Sequence, residues 1–134
     1  MVSLLLAVVL SGVPTGQSVE QNYTLAYKKS VEQNKPLMVV VGAPWCPACT
    51  VLKNSTIMPM AATGELDEVS VAVINKDEDP ELAEQLTKGE KMIPQIIMFT
   101  KNDSGGWNRQ LLRGFQTKQP VRSLIRSAIA ARRG

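Results

Sequence analysis

Two cysteines, Cys46 and Cys49, are the only thiols in the chain, and they stand two residues apart in Ala43-Pro44-Trp45-Cys46-Pro47-Ala48-Cys49. They follow directly on the apolar run Leu37-Met38-Val39-Val40-Val41. A strand emptying into Cys-x-x-Cys, with a segment that can turn helical behind it, has the spacing of a redox dithiol. At a helix N-terminus Cys46 would meet the positive end of the macrodipole and free N–H groups, which favour thiolate over thiol. Cys46 is therefore expected to be an exposed nucleophile. Cys49, one turn further on, would be close enough to attack a mixed disulfide formed at Cys46. A purely structural crosslink is the plainer alternative, but closing so short a loop removes little denatured-state entropy, on the order of 2 kcal/mol. A structural zinc site would need four ligands, and two Cys with no His leave only carboxylates to complete the shell.

The elements around the pair follow from periodicity and caps. Leu37–Val41 lacks alternation, so both its faces should be buried, as in a central parallel strand. Gly42-Ala43-Pro44 lets the chain turn close to the dithiol. Upstream, Val19, Tyr23, Ala26, Tyr27 and Val31 recur at helical intervals, predicting one amphipathic helix from about Val19 to Gln33, ended by Asn34-Lys35-Pro36. Downstream, Val51 and Leu52 continue a helix that Pro59 must break, with a restart near Met60 to Leu66. Ser70–Asn75 reads as the next strand. Asp79, Pro80 and Glu81 then cap and open a helix to about Lys88, a cheaper account of Asp77-Glu78-Asp79 than a cation site. Gln95–Thr100 is a strongly apolar strand. Lys101–Gly106 carries hairpin-turn chemistry, and Trp107–Arg113 forms an antiparallel edge strand. Thr117 can cap a last helix presenting Val121, Leu124, Ile125, Ala128 and Ile129 on one face.

Trp45-Cys46-Pro47-Ala48-Cys49 after a hydrophobic strand, with Ile93-Pro94 ahead of another, resembles the thioredoxin superfamily, especially its extracytoplasmic thioredoxin-like members. The likeness runs from about Tyr27 to the C-terminus. It implies an α/β thioredoxin-like fold, a central mixed sheet of four or five strands flanked by helices. It also implies that Pro94 is cis, and that Trp45, Pro47, Ile93 and Pro94, with the loop near Gly114, form a shallow apolar substrate platform around the catalytic pair Cys46 and Cys49. The implied activity is thiol–disulfide exchange, with the Cys46–Cys49 disulfide itself as the redox group and neither metal nor other cofactor. Ile before this proline resembles the reducing members and tilts the direction towards reduction. An oxidase or isomerase, and a non-catalytic binding module on the same fold, remain as alternatives. Cytosolic thioredoxins carry a buried Asp and a neighbouring Lys beneath the site; Val40 and Val73 stand there in this chain, leaving water, Glu65 or Asp77 as candidate proton acceptors for Cys49.

Composition bounds the rest. At 134 residues and 44% hydrophobic content, one domain with a real core is expected, spanning residues 19–134. The net charge of +3 is scattered, with Lys28-Lys29 and Arg132-Arg133 as solvated pairs, so no nucleic-acid partner is expected. Met58, Met60 and Met92 are read as core filling in preference to a docking surface. Residues 1–18 are an apolar segment too short to cross a bilayer. They read first as a secretory signal, with a lipid-facing anchor or a first structural element as alternatives. The signal reading places the domain in the periplasm or outside the cell; without it the protein would be cytoplasmic, and membrane contact needs the segment retained. The expected partners of this monomer are a protein disulfide or dithiol substrate and an electron-donating redox protein.

Overall fold

The computed structural model describes residues 19–133, so the apolar leader lies outside the described residues. A five-stranded mixed sheet carries helices on both faces. Its strands are β1 (Val19–Glu20), β2 (Leu37–Gly42), β3 (Ser70–Asn75), β4 (Gln95–Lys101) and β5 (Trp107–Arg113), in the spatial order β1-β3-β2-β4-β5. β1, β3 and β2 run parallel, while β4 pairs antiparallel with β2 and β5 with β4. The helices are α1 (Tyr23–Gln33), α2 (Pro47–Leu52), α3 (Met58–Ala62), α4 (Pro80–Thr87) and α5 (Lys118–Arg133).

β2 is central, and all six of its residues are buried. Its side chains divide by parity, as the pleat requires. Met38 and Val40 join Leu52, Ile57, Met60, Ile96, Met98 and the Val121/Leu124/Ile125/Ala128 stripe of α5. Leu37, Val39 and Val41 face the other way, to Ala26 of α1 and Ala83 and Leu86 of α4. The run without alternation is thus a strand between two cores. α4 opens as its sequence requires, with the Leu82 N–H donating to Asp79 Oδ1 at 3.2 Å and Pro80 in the first turn.

Three elements depart from expectation. The segment 19–33 is not one helix: Val19–Glu20 adds a short parallel strand beside β3, and α1 begins only at Tyr23. The Asn22 side chain accepts from the Leu25 N–H at 3.2 Å, fixing the start there. From that start Ala26 and Ser30 turn inward, leaving Tyr27 and Val31 exposed. Secondly, Pro59 does not break its helix. The turn widens over Lys53–Ile57 into a π-helical segment, with the Met58 N–H donating to the Lys53 carbonyl five residues back. A proline ring clashes with the carbonyl four residues before it, and a wider turn moves that carbonyl aside. α3 therefore follows at once and ends at Ala62, and 63–68 are turns rather than helix to Leu66. Thirdly, Met60 is core, but Met58 and Met92 are exposed, so core filling holds for only one of the three.

Candidate functional site

Cys46 is the N-cap of α2, and its sulfur accepts the Cys49 N–H at 3.2 Å. A donor at that position steadies negative charge on Cys46 whenever the sulfur is free. The Cys46 carbonyl accepts from the Thr50 N–H at 3.2 Å, starting the helical ladder. Pro47, exposed, takes the first helical position, where its missing N–H costs nothing. One turn later Cys49 closes a disulfide with Cys46 across a Cα separation of 5.3 Å. Both cysteines are covered, Cys46 to 6% exposure and Cys49 to 9%, against Ala43 and the half-buried Ile93. The expectation of an openly exposed Cys46 is corrected accordingly: Ala43 and Ile93 pack on the pair and leave only an edge accessible.

The remaining residues of the expected platform occupy distinct positions. The Ile93–Pro94 peptide is cis, and the Pro94 carbonyl accepts the Gly114 N–H at 2.8 Å, seating the 114 loop beside it. Pro94 itself is buried, so Ile93 supplies the accessible surface of that dipeptide. Trp45 is 64% exposed. Its indole N–H donates to Asp77 Oδ2 at 2.7 Å, and the Lys76 ammonium lies 5.5 Å from the ring centroid. The indole is therefore anchored to the loop after β3. Lys76, Asp77 and Ile93 also share a groove of about 440 Å³ running towards α4.

Val40 and Val73 are direct Cα partners across β2 and β3, so the sheet beneath the site is apolar where an Asp and a Lys would otherwise face each other. Both suggested acceptors already have hydrogen-bond partners. The Arg122 guanidinium hydrogen-bonds Glu65 and holds its carboxyl below the ordinary glutamate range, while Asp77 is engaged by Trp45. Three further residues border the pair. Gly42 lies so close to Cys49 that a Cβ built on it would stand 3.1 Å from both Cβ and Sγ. Lys53 and Glu78 line a cavity of about 430 Å³ that opens on Cys49. Gly42, at the exit of an apolar strand, carried a readable hint of close approach; Glu78 carried none. Among the described residues, no group of three or more His, Cys, Asp or Glu is placed to hold a metal.

A five-stranded mixed sheet with Cys-x-x-Cys at the N-terminus of the helix after the central strand, and a cis-proline beside it, defines a thioredoxin-type domain. The chain belongs to the thioredoxin-like family, whose family model matches residues 18–101. It is 29% identical over 99 residues to a thioredoxin of Alicyclobacillus acidocaldarius, covering 74% of this chain and 87% of that one. With thioredoxin 1 of Synechococcus elongatus it shares 32% identity over 74 residues, 54% of this chain and 65% of the relative. Among solved structures, a Thermus thermophilus thioredoxin superposes with a TM-score of 0.68 at 19% identity, over 84% of this chain and 88% of that one. A chloroplastic thioredoxin z gives 0.64 at 22% identity, over 84% and 95% of the two chains. These two structures speak to fold alone.

Proposed function

We propose that the protein is a thiol–disulfide oxidoreductase that reduces disulfides in exported proteins, working in the periplasm or outside the cell. The observation that carries the chemistry is the Cys49 N–H on Cys46 Sγ, with Cys49 itself bonded to that sulfur. In the reduced protein the Cys46 thiolate attacks a substrate disulfide, forming an S–S bond to one substrate sulfur and expelling the other as thiolate. Cys49 then loses its proton and attacks Cys46 Sγ. The mixed disulfide breaks, the second substrate sulfur leaves with the electron pair, and Cys46–Cys49 is oxidised by the two electrons the substrate has gained. A redox partner resets the pair, and no cofactor beyond the disulfide takes part. Trp45 and Ile93 meet the substrate, with Pro47 stiffening the turn and Pro94 shaping the loop behind Ile93. Export rests on the apolar character of residues 1–18, and the preference for reduction on Ile93 preceding Pro94.

A Cys49→Ser protein tests the reading. Exposed to disulfide-bearing secreted proteins, it should accumulate mixed disulfides through Cys46 that a reductant releases. A Cys49→Ser protein that accumulates none would leave a thioredoxin-fold binding module instead. Equilibration of the intact pair against glutathione fixes the direction, since about 30 mV corresponds to some 1.4 kcal/mol. A strongly oxidising potential would assign an oxidase or isomerase.

A further inference from the structure

Resolution of the mixed disulfide requires a buried thiol to shed a proton, and the surroundings of Cys49 offer few ways out. Cys49 is 9% exposed, backed by Gly42 at the end of the central strand and packed with Cys46, Ala43 and Ile93. A proton cannot pass downward into a sheet without acceptors. On its remaining side Cys49 borders the cavity of about 430 Å³ between α2 and the loop joining β3 to α4. That volume admits several waters at roughly 30 Å³ each.

Two charged side chains line this cavity, Lys53 one turn along from Cys49 and Glu78 from the opposite wall. The other charged groups of the same loop are directed elsewhere: Lys76 and Asp77 lie against the Trp45 indole, and Asp79 caps α4. Among the described residues, Glu78 is in no ion pair. An ammonium cannot take a proton, whereas a carboxylate can.

We propose that this cavity is the proton exit of Cys49, with Glu78 accepting the proton through intervening water and Lys53 favouring the thiolate. The proposal rests on the oxidoreductase reading and adds its second step. The Cys49 S–H proton passes through water to the Glu78 carboxylate, the thiolate attacks Cys46 Sγ, and the departing substrate sulfur is protonated from solvent.

The test mixes reduced protein with a chromogenic aromatic disulfide. One aromatic thiolate is released when Cys46 attacks and a second when Cys49 resolves the adduct. Glu78→Gln should slow the second release by roughly a hundredfold, the low end of what positioned proton transfer contributes, and leave the first release as in the wild type. Glu78→Asp should recover most of the loss, and Lys53→Gln should move the pH midpoint of the second release upward. Simple removal of negative charge would ease ionisation of Cys49 and speed the second release, so its slowing separates proton transfer from electrostatics. A Glu78→Gln second release equal to or faster than wild type across the pH range overturns the proposal. A wild-type protein with no second release overturns the oxidoreductase reading itself, so the two failures are distinguishable.

Discussion

Gly42→Ala is the smallest change that should retune the dithiol. Gly42 ends β2 paired with Asn75 of β3, and its carbonyl accepts the Lys76 N–H at 2.9 Å, so the backbone is held from the β3 side. A methyl group there would lie 3.1 Å from both Cβ and Sγ of Cys49. Comfortable carbon contacts begin at about 3.5 Å, so something must yield by a few tenths of an ångström. Overpacking of this kind costs about 1–3 kcal/mol. The cost falls unequally on the two redox states. In the disulfide the Cys49 sulfur is tied to Cys46 and cannot swing away, whereas in the dithiol it can. The Cβ contact burdens both states and the Sγ contact mainly the oxidised one, so the variant should favour the dithiol, and at about 30 mV per 1.4 kcal/mol its potential should rise by at most roughly 20–60 mV. Equilibration of both proteins against graded glutathione buffers measures the shift, and urea unfolding of the oxidised forms should show the matching loss of stability. Equal potentials and equal oxidised-state stabilities would refute the claim that the missing Cβ seats Cys49 against the strand.

Other perturbations probe other parts of the scaffold. Leu52 is fully buried in the core beneath α2, and Leu52→Ala should cost about 2–5 kcal/mol in denaturant unfolding. Trp45→Ala should raise KM for a protein disulfide several-fold, to be read from initial rates, while the reaction of Cys46 with a small aromatic disulfide stays close to wild type. Glu65 and Glu90 both have pKa values lowered below the ordinary 4.5, first by the hydrogen bonds from Arg122 and Arg113 respectively. Their stabilisation is complete above that ordinary value and is lost as pH falls through the lowered ones. Acid unfolding followed by circular dichroism should accordingly be less steep in Glu65→Gln and Glu90→Gln, with the difference shrinking in high salt.

The parts of this fold written in local chemistry were legible in the sequence. β2 and β3 announced themselves as short apolar runs bounded by turn residues, and α4 by Asp79, Pro80 and Glu81. The α5 stripe followed from helical spacing alone. The start of α1 was missed because Val19 fits a helical period as well as it fits an edge strand. The choice fell to pairing with Val71, some fifty residues away. Pro59 reads as a break because proline's own preference is local, whereas in the fold the turn before it widens, moves the clashing carbonyl aside and carries the helix on. At the site, Cys46, Cys49, Ile93 and Pro94 could be brought together through family resemblance. The contact of Gly42 with Cys49, the bond from Trp45 to Asp77 and the cavity wall at Glu78 each join segments that only the folded sheet places side by side.

The central position of β2 bears on how the site behaves in time. A strand paired along both edges and buried on both faces releases its amide protons only when the whole domain opens. The sulfur-bearing turn hangs from that strand, so on the proposed mechanism an incoming disulfide meets a site anchored to the centre of the sheet.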